Sequence, residues 1–238
     1  MMKMMILAPR RAGMTHAQFR RYVTEVHGPL VAGIPEVASA IRHYHYNFPI
    51  DGAEDVAFGH PLASHLDIVT QGWFDSREAQ LENMAQPRYL EIIRPDEHRF
   101  ADGQRAVMHY TTEIPVVGDE ATGTKVFYFR RRRAGLSRDE FQRAWRTEFA
   151  DTLVSNNAFG GAVARYVQNH AMGESRHPDG TSTKFYDVID ELSIRSAGAL
   201  GLLANDARAI AATQAMEHRL LDRERTLALV TETVVNIP

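Results

Sequence analysis

The sequence predicts an α+β fold: two ferredoxin-like β-α-β-β-α-β repeats packed sheet to sheet as an α+β barrel. Three observations predict it. Short motifs recur in the same order in the two halves, at an offset of about 122 residues. Within each half, apolar runs and helical segments follow the order strand, helix, strand, strand, helix, strand. A four-stranded sheet with helices on one face leaves its other face uncovered, and the companion repeat is at hand to cover it.

The first half opens with an apolar strand over 3–8, followed by Arg10, Arg11 and the turn Ala12-Gly13-Met14-Thr15. The second half has Val126 to Phe129, an arginine run, then Ala134-Gly135-Leu136-Ser137. Thr15 and Ser137 are N-cap residues by type, and Glu140 stands at capping-box spacing from Ser137. Phe19 and Phe141 take the same place in the helix that follows. Downstream, Arg42-His43-Tyr44 matches Arg165-Tyr166-Val167, and Asp67-Ile68-Val69 matches Asp187-Val188-Ile189. Asp96-Glu97-His98-Arg99 matches Met216-Glu217-His218-Arg219, and Thr111-Thr112-Glu113 matches Val230-Thr231-Glu232.

The remaining elements follow from turn chemistry. Gly28-Pro29 should end a helix that starts near His16. A second strand covers 40–48, a loop runs through Asp51-Gly52 and Gly59-His60-Pro61, and a third strand covers 64–71. Ser76 caps a helix reaching about Tyr89, Asp96 caps a further short turn, and a last strand covers 107–111. The stretch 113–123, with Pro115, Gly118 and Gly123, reads as a linker, and 173–183 as an exposed loop. The two domains are therefore 1–115 and 123–238. Two facing sheets would enclose a central cavity.

Composition narrows the function classes. The 238 residues are 44% hydrophobic and 24% charged, as in an ordinary globular protein. Basic and acidic residues number 27 and 30, for a net charge of -3, which gives no electrostatic footprint for nucleic acid. The absence of cysteine excludes disulfides, thiolate nucleophiles and cysteine metal sites. No apolar run approaches the roughly 20 residues of a membrane span, and a cytoplasmic location is the default expectation. The expected partner is a small molecule, not nucleic acid or membrane, and a homodimer of the two-repeat chain is compatible with this. Phosphate-binding glycine loops, paired-histidine metalloprotease helices and nucleophile elbows are missing.

Several side chains carry candidate chemistry. His27 is either a helix C-cap or an acid–base group at the cavity rim, and Phe149 stands at its place in the second half. Strand alternation sends His43 and His45 to one face and Tyr44 and Tyr46 to the other; either pair would line the cavity. Two histidines at that spacing fall short of a metal site without a third ligand. In the second half, Arg165, Tyr166, Asn169 and His170 surround one strand, and Arg165 would suit a carboxylate. Asp67 and Asp187 need partners if buried: either would orient a histidine or pair with Arg42 or Arg165. Trp73 and His98 complete the set; both also have packing explanations, as do Trp145, Phe19 and Phe141.

The chain resembles the EthD family of dimeric α+β barrel proteins. The resemblance rests on Arg11-Ala12-Gly13-Met14-Thr15, Phe19-Arg20-Arg21-Tyr22 and Glu25-Val26-His27-Gly28-Pro29-Leu30. In the second half it rests on Arg133-Ala134-Gly135-Leu136-Ser137, Phe141 with Trp145, and Arg165-Tyr166-Val167-Gln168-Asn169-His170. It implies ferredoxin-like units paired through their sheets, with a small-molecule pocket between sheet and helices. The wider superfamily contains cofactor-free monooxygenases, decarboxylases, cyclases and isomerases of aromatic, polyketide or lactone compounds, and some branches bind haem. The family's helix-end histidine falls on His27.

The expectation is a lyase or isomerase that uses acid–base chemistry on an aromatic, polyketide-like or lactone acid. His27, Tyr44, His45 and Asp67 form the catalytic set. His43, Tyr46, Trp73, His98, Arg165, Tyr166, Asn169, His170 and Asp187 form the substrate-binding set. No cofactor is expected, with haem or a diffusible flavin as alternatives. A cofactor-free or haem-dependent monooxygenase and a non-catalytic binding protein are the competing functions.

Overall fold

The computed structural model of the chain describes residues 1–51, 60–118, 123–176, 182–183, 186–196, 198 and 207–237. Parts of the loops expected around Gly52 to Gly59 and Gly173 to Thr183, and residues 119–122, lie outside the described residues. The strands are β1 (Met2–Ala8), β2 (His43–Pro49), β3 (Ile68–Phe74), β4 (Val107–Val117), β5 (Thr124–Arg130), β6 (Val163–Ala171), the short β7 (Ser175–Arg176) and β8 (Ser182–Thr183), β9 (Val188–Ile194) and β10 (Leu227–Ile237). The sheet order is β1-β3-β2-β10-β5-β9-β6-β4, and β4 pairs back onto β1. This closes an antiparallel barrel of eight strands, with β7 and β8 appended to β4. Closure leaves no unpaired edge among those eight strands.

The two seams explain the length of β4 and β10. Each begins beside the first strand of its own half, β4 on β1 and β10 on β5. Each then runs on to pair with the other half, β4 with β6 and β10 with β2. The stretch expected as a linker from residue 113 is therefore strand as far as Val117. Register shifts between Pro115 and Val117, and between Val235 and Ile237, bend the two strands alike. Gly118 then turns with φ +65, where a Cβ would lie 1.9 Å from the Ala164 carbonyl oxygen.

The helices cover the outside of the barrel. In the first half, α1 (His16–Tyr22), a π-helical turn (Val23–His27) and α2 (Gly28–Ala32) run on without a break, followed by α3 (Pro35–Ala38). Thr15 and Gln18 form a capping box, matched in the second half by Ser137 and Glu140. Gly28-Pro29 does not end the helix. The wide turn, closed by the Gly28 amide on the Val23 carbonyl, places the proline in the first turn of α2, where its missing N–H is tolerated. Later come α4 (Arg77–Met84, capped by Ser76), a second π turn (Tyr89–Ile93) and α5 (Arg94–Phe100). Asp96 lies inside α5 and caps nothing. The second half has α6 (Arg138–Ala144), a π turn (Trp145–Phe149), α7 (Ala150–Val154), α8 (Asn157–Ala162) and α9 (Ala207–Leu220).

The space between the facing sheets is filled. One half of it is apolar, with Met5, Phe127 and Phe129 fully buried beside Leu7, Val69 and Leu229. The other half is a polar core. Lys3 and Lys125 hold Glu191 at 2.6 and 2.7 Å, and Gln71, the counterpart of Glu191, donates to it at 2.7 Å. Thr111 and Thr231 donate to the carbonyls of Lys3 and Lys125. Two lysines against one carboxylate hold the Glu191 carboxyl well below the usual range, although burial alone would raise it. The expected central cavity is thus a packed core among the described residues; a cleft of about 260 Å³ lies beside Leu7, His65 and Tyr186.

Candidate active site

The large cavity lies outside the barrel, between the sheet of the first half and its helices. Its volume is about 470 Å³. Strand β2 turns Tyr44 and Tyr46 toward it, β1 contributes Met4 and Ile6, and the π turn contributes His27. Tyr44 fits flat against the sheet because Gly72 is its cross-strand partner; a Cβ there would lie 3.1 Å from the ring.

His27 is buried, and its Nδ1 donates to Asp96 Oδ2 at 2.9 Å. The Tyr22 hydroxyl donates to Asp96 Oδ1 at 2.5 Å. Burial would raise the Asp96 carboxyl, but the hydrogen bonds from His27 and Tyr22 outweigh burial and hold it below the usual carboxylate range. An ionised Asp96 fixes the proton of neutral His27 on Nδ1 and leaves a lone pair on Nε2. No described residue hydrogen-bonds that nitrogen, and His27 lines the cavity. The ring is seated by Phe100, with centroids 4.6 Å apart, and lies 6.3 Å from the Tyr46 ring. The cavity therefore holds a carboxylate-oriented imidazole with an available base.

The second half lacks this arrangement. Phe149 replaces His27, Met216 replaces Asp96 and Ala144 replaces Tyr22. Phe149 stacks on Trp145 with centroids 3.6 Å apart. Arg130 is buried where the first half has Ala8, bonding Asp190 at 2.8 Å and Glu217 at 2.8 Å, with His60 Nε2 at 3.0 Å. Tyr166 and the Trp145 indole also donate to Asp190. About 100 Å³ remains open. These groups satisfy one another, which is the pattern of a structural ion cluster.

The structure separates the sequence candidates into three groups. His27, Tyr44, Tyr46 and His98 line the first cavity, His98 as an exposed residue. His43, His45, Trp73, Arg165 and Asn169 belong to the opposite, barrel side of the sheet. His43 and His45 pack edge-on against Trp73, whose indole donates to Glu113 at 3.0 Å; Arg165 pairs with Glu113 at 2.8 Å. His45 is held neutral, its pKa lowered to about 4 by burial and by Lys125 and Lys3. Asn169 donates to the Ile189 carbonyl. These side chains cannot assist His27, and Arg165 cannot hold a substrate anion beside it. Strand parity is the reason.

The third group is structural. Asp67 accepts from the Arg10 amide at 2.7 Å and pairs with its guanidinium; Asp187 accepts from the Arg132 amide at 3.0 Å and pairs likewise. The partners are Arg10 and Arg132, not Arg42, which pairs with Asp75, nor Arg165. Tyr166 belongs to the second-half cluster, and His170 bonds Gln168, its pKa lowered by burial to about 4. Strand pairing also aligns Tyr44 with Tyr166 and His43 with Arg165, one residue away from the match read in the sequence. Thr111 likewise aligns with Thr231.

Asp96 and Tyr22 were missed as site residues. The sequence carried their signal: the halves differ at His27/Phe149, Asp96/Met216 and Tyr22/Ala144, and those three differences meet at one point in space. Among the described residues, no group of three His, Asp or Glu side chains is placed to hold a metal.

The EthD domain matches residues 11–104, the segment that carries the dyad and most of the cavity. The conidial pigment biosynthesis dehydratase EthD of Metarhizium robertsii is 33% identical over 110 residues, covering 43% of this chain and 75% of that protein. The chain belongs to the EthD family. A second relative, the dehydratase ustZ of Ustilaginoidea virens, is 30% identical over 109 residues, covering 43% of this chain and 76% of that protein. Among solved structures, an anthrone oxidase-like protein covers 99% of the chain and 93% of its own length, with a TM-score of 0.66 and 11% identity. A mutant chlorite dismutase from Candidatus Nitrospira defluvii covers 97% and 91%, with a TM-score of 0.52 and 11% identity. At such identities these two establish the fold alone. Among the described residues, no helix is long and apolar enough to cross a membrane.

Haem, which some branches of the superfamily bind, does not fit the residues present. Its propionates need cations. Among the described lining of the first cavity the guanidinium of Arg94 is engaged by Glu97 at 3.1 Å; the second cavity is only about 100 Å³, and its His60 and Arg130 are engaged with each other and with Glu217. The same shortage leaves a flavin phosphate without a partner.

Proposed function

We propose that this EthD protein is a dehydratase, a lyase that removes water from a small hydroxylated carbonyl compound in the first-half cavity. The carrying observation is His27, with Nδ1 on Asp96 and Nε2 unpartnered at the cavity. The two dehydratase relatives, each of which aligns over about three-quarters of its length, support the reaction class.

His27 Nε2 takes a proton from the carbon next to the substrate carbonyl, and the electron pair moves into an enolate. Asp96 stabilises the imidazolium that forms. The same imidazolium returns the proton to the β-hydroxyl. Its C–O bond breaks, water leaves, and the carbon–carbon double bond closes as the carbonyl is restored. Atoms and charge balance with no oxidant or reductant. Predominantly apolar walls keep bulk water from the enolate.

The test is turnover of a panel of β-hydroxy ketones carrying fused rings, with loss of one water followed by mass spectrometry. Wild type should form the unsaturated product without consuming oxygen, and His27→Ala should lose about 10²–10⁴-fold in rate while keeping its fold. Oxygen uptake coupled to turnover would assign a monooxygenase instead.

A further inference from the structure

The polar groups of the cavity have an uneven distribution. Among its described lining residues Glu97 is the one carboxylate; Asp96 is not in the lining and acts on it through its bond to His27. Glu97 receives a hydrogen bond from the Tyr89 hydroxyl at 2.7 Å, besides its ion pair with Arg94. The described cavity therefore offers a carboxylate substrate no unengaged guanidinium or ammonium group, and Arg165 lies on the other side of the sheet.

Two phenol hydroxyls of the lining, those of Tyr46 and Tyr44, remain. The Tyr46 side chain is 2% exposed, and its oxygen is buried in the cavity wall without a hydrogen-bond partner. No described residue bonds the Tyr44 hydroxyl either. The two rings pack edge to face with centroids 5.2 Å apart, on the strand that faces His27. A buried donor left without a partner costs about 1–3 kcal/mol, so an unpaired phenol in a ligand-sized cavity marks where a ligand atom completes the set. Burial and the nearby Glu97 keep both phenols protonated, as donors.

We infer that the cavity selects an uncharged carbonyl compound over a carboxylate, with the Tyr46 and Tyr44 hydroxyls as the donors that receive its carbonyl oxygen. This rests on the dehydratase reading and sharpens it. The donors that bind the ketone also stabilise the enolate when His27 removes the proton. A carboxylate in the same place would meet Glu97, and the one guanidinium of the described lining, Arg94, is already paired with that glutamate.

The experiment is calorimetric titration of the full chain with two probes of nearly equal shape, 2-acetylnaphthalene and 2-naphthoate, at neutral pH. The ketone should bind at least about tenfold more tightly than the carboxylate to wild type, a difference of about 1.4 kcal/mol. Tyr46→Phe should weaken the ketone about fivefold or more and leave the carboxylate unchanged; Tyr44→Phe should act in the same direction. Circular dichroism and Tm of each variant check the fold. Equal or tighter binding of the naphthoate overturns the inference. So does unchanged ketone affinity in both phenylalanine variants, or no binding of either probe. His27→Ala separates the two proposals. It should keep ketone affinity within about twofold while losing turnover, so that failure of catalysis and failure of charge selection have different readouts.

Discussion

The Nδ1 atom of His27 lies 2.9 Å from Oδ2 of Asp96, a residue 69 positions downstream on another helix. This pairing joins the π turn of the first half to α5 and gives the imidazole one orientation. In the second half the same two positions hold Phe149 and Met216, and the space is occupied by the Arg130 cluster. On the dehydratase proposal the first half carries the chemistry, while the second half completes the barrel.

The orienting role of Asp96 predicts a graded loss. Asp96→Asn should lower kcat by about tenfold or more with little change in KM, because an amide can leave the imidazole in the wrong tautomer while the cavity stays intact. Tyr22→Phe, which removes only the second hydrogen bond to Asp96, should have a smaller effect. Steady-state kinetics on both variants measure this, and equal losses in the two would contradict it.

Asp67 and Asp187 should matter for stability and not for turnover. Each ties a strand end to an arginine and its amide, and replacement by alanine should cost about 1–3 kcal/mol in chemical denaturation. The folded fraction of Asp67→Ala should keep wild-type kcat. A selective loss of kcat in that variant would return Asp67 to the catalytic set.

The second-half cluster should show in the acid range. Burial would raise the Glu217 carboxyl, but Arg130 and the His60 hydrogen bond outweigh burial and lower its pKa from 4.5 to about 2. A depressed carboxylate pKa contributes stability in full above the unfolded value. That contribution is lost as pH falls from about 4.5 toward 2. Glu217→Gln leaves Arg130 with less charge compensation and should destabilise the protein by about 3–5 kcal/mol at neutral pH. Its Tm should therefore be lower at pH 7 and fall less steeply on acidification. Parallel Tm curves for the two proteins would contradict this.

Gly72 should set the position of Tyr44. Gly72→Ala puts a methyl group 3.0 Å from Phe74 and 3.1 Å from the Tyr44 ring. The ring must shift, so KM should rise more than kcat falls. Unchanged KM in a folded variant would contradict that role.

Much of the fold was legible because it rests on local chemistry. Thr15 and Ser137 cap as their side chains allow, and the paired motifs Gly13 and Gly135 both sit at positive φ. The seams were not legible. Whether residues 113–117 form a linker or a strand depends on an edge provided by β6, far away in sequence. Alternation showed that Tyr44 and Tyr46 share a face, but not which face meets the helices. Only the cross-strand packing of His45 and Trp73 inside the barrel decides that. Asp96 was misread as a cap because its sequence neighbours suit a helix start. Its partners, Tyr22 and His27, come from the first helical segment and are visible only in three dimensions.

The most direct measurement is deuterium incorporation. A ketone bound in the cavity, incubated in deuterated water, should exchange the hydrogens next to its carbonyl with wild-type protein, and this is followed by NMR of the recovered ketone. Wild type should accelerate exchange over buffer, His27→Ala should fall to the buffer rate, and Asp96→Asn should lie between. Undiminished exchange in His27→Ala would contradict the assignment of His27 as the base.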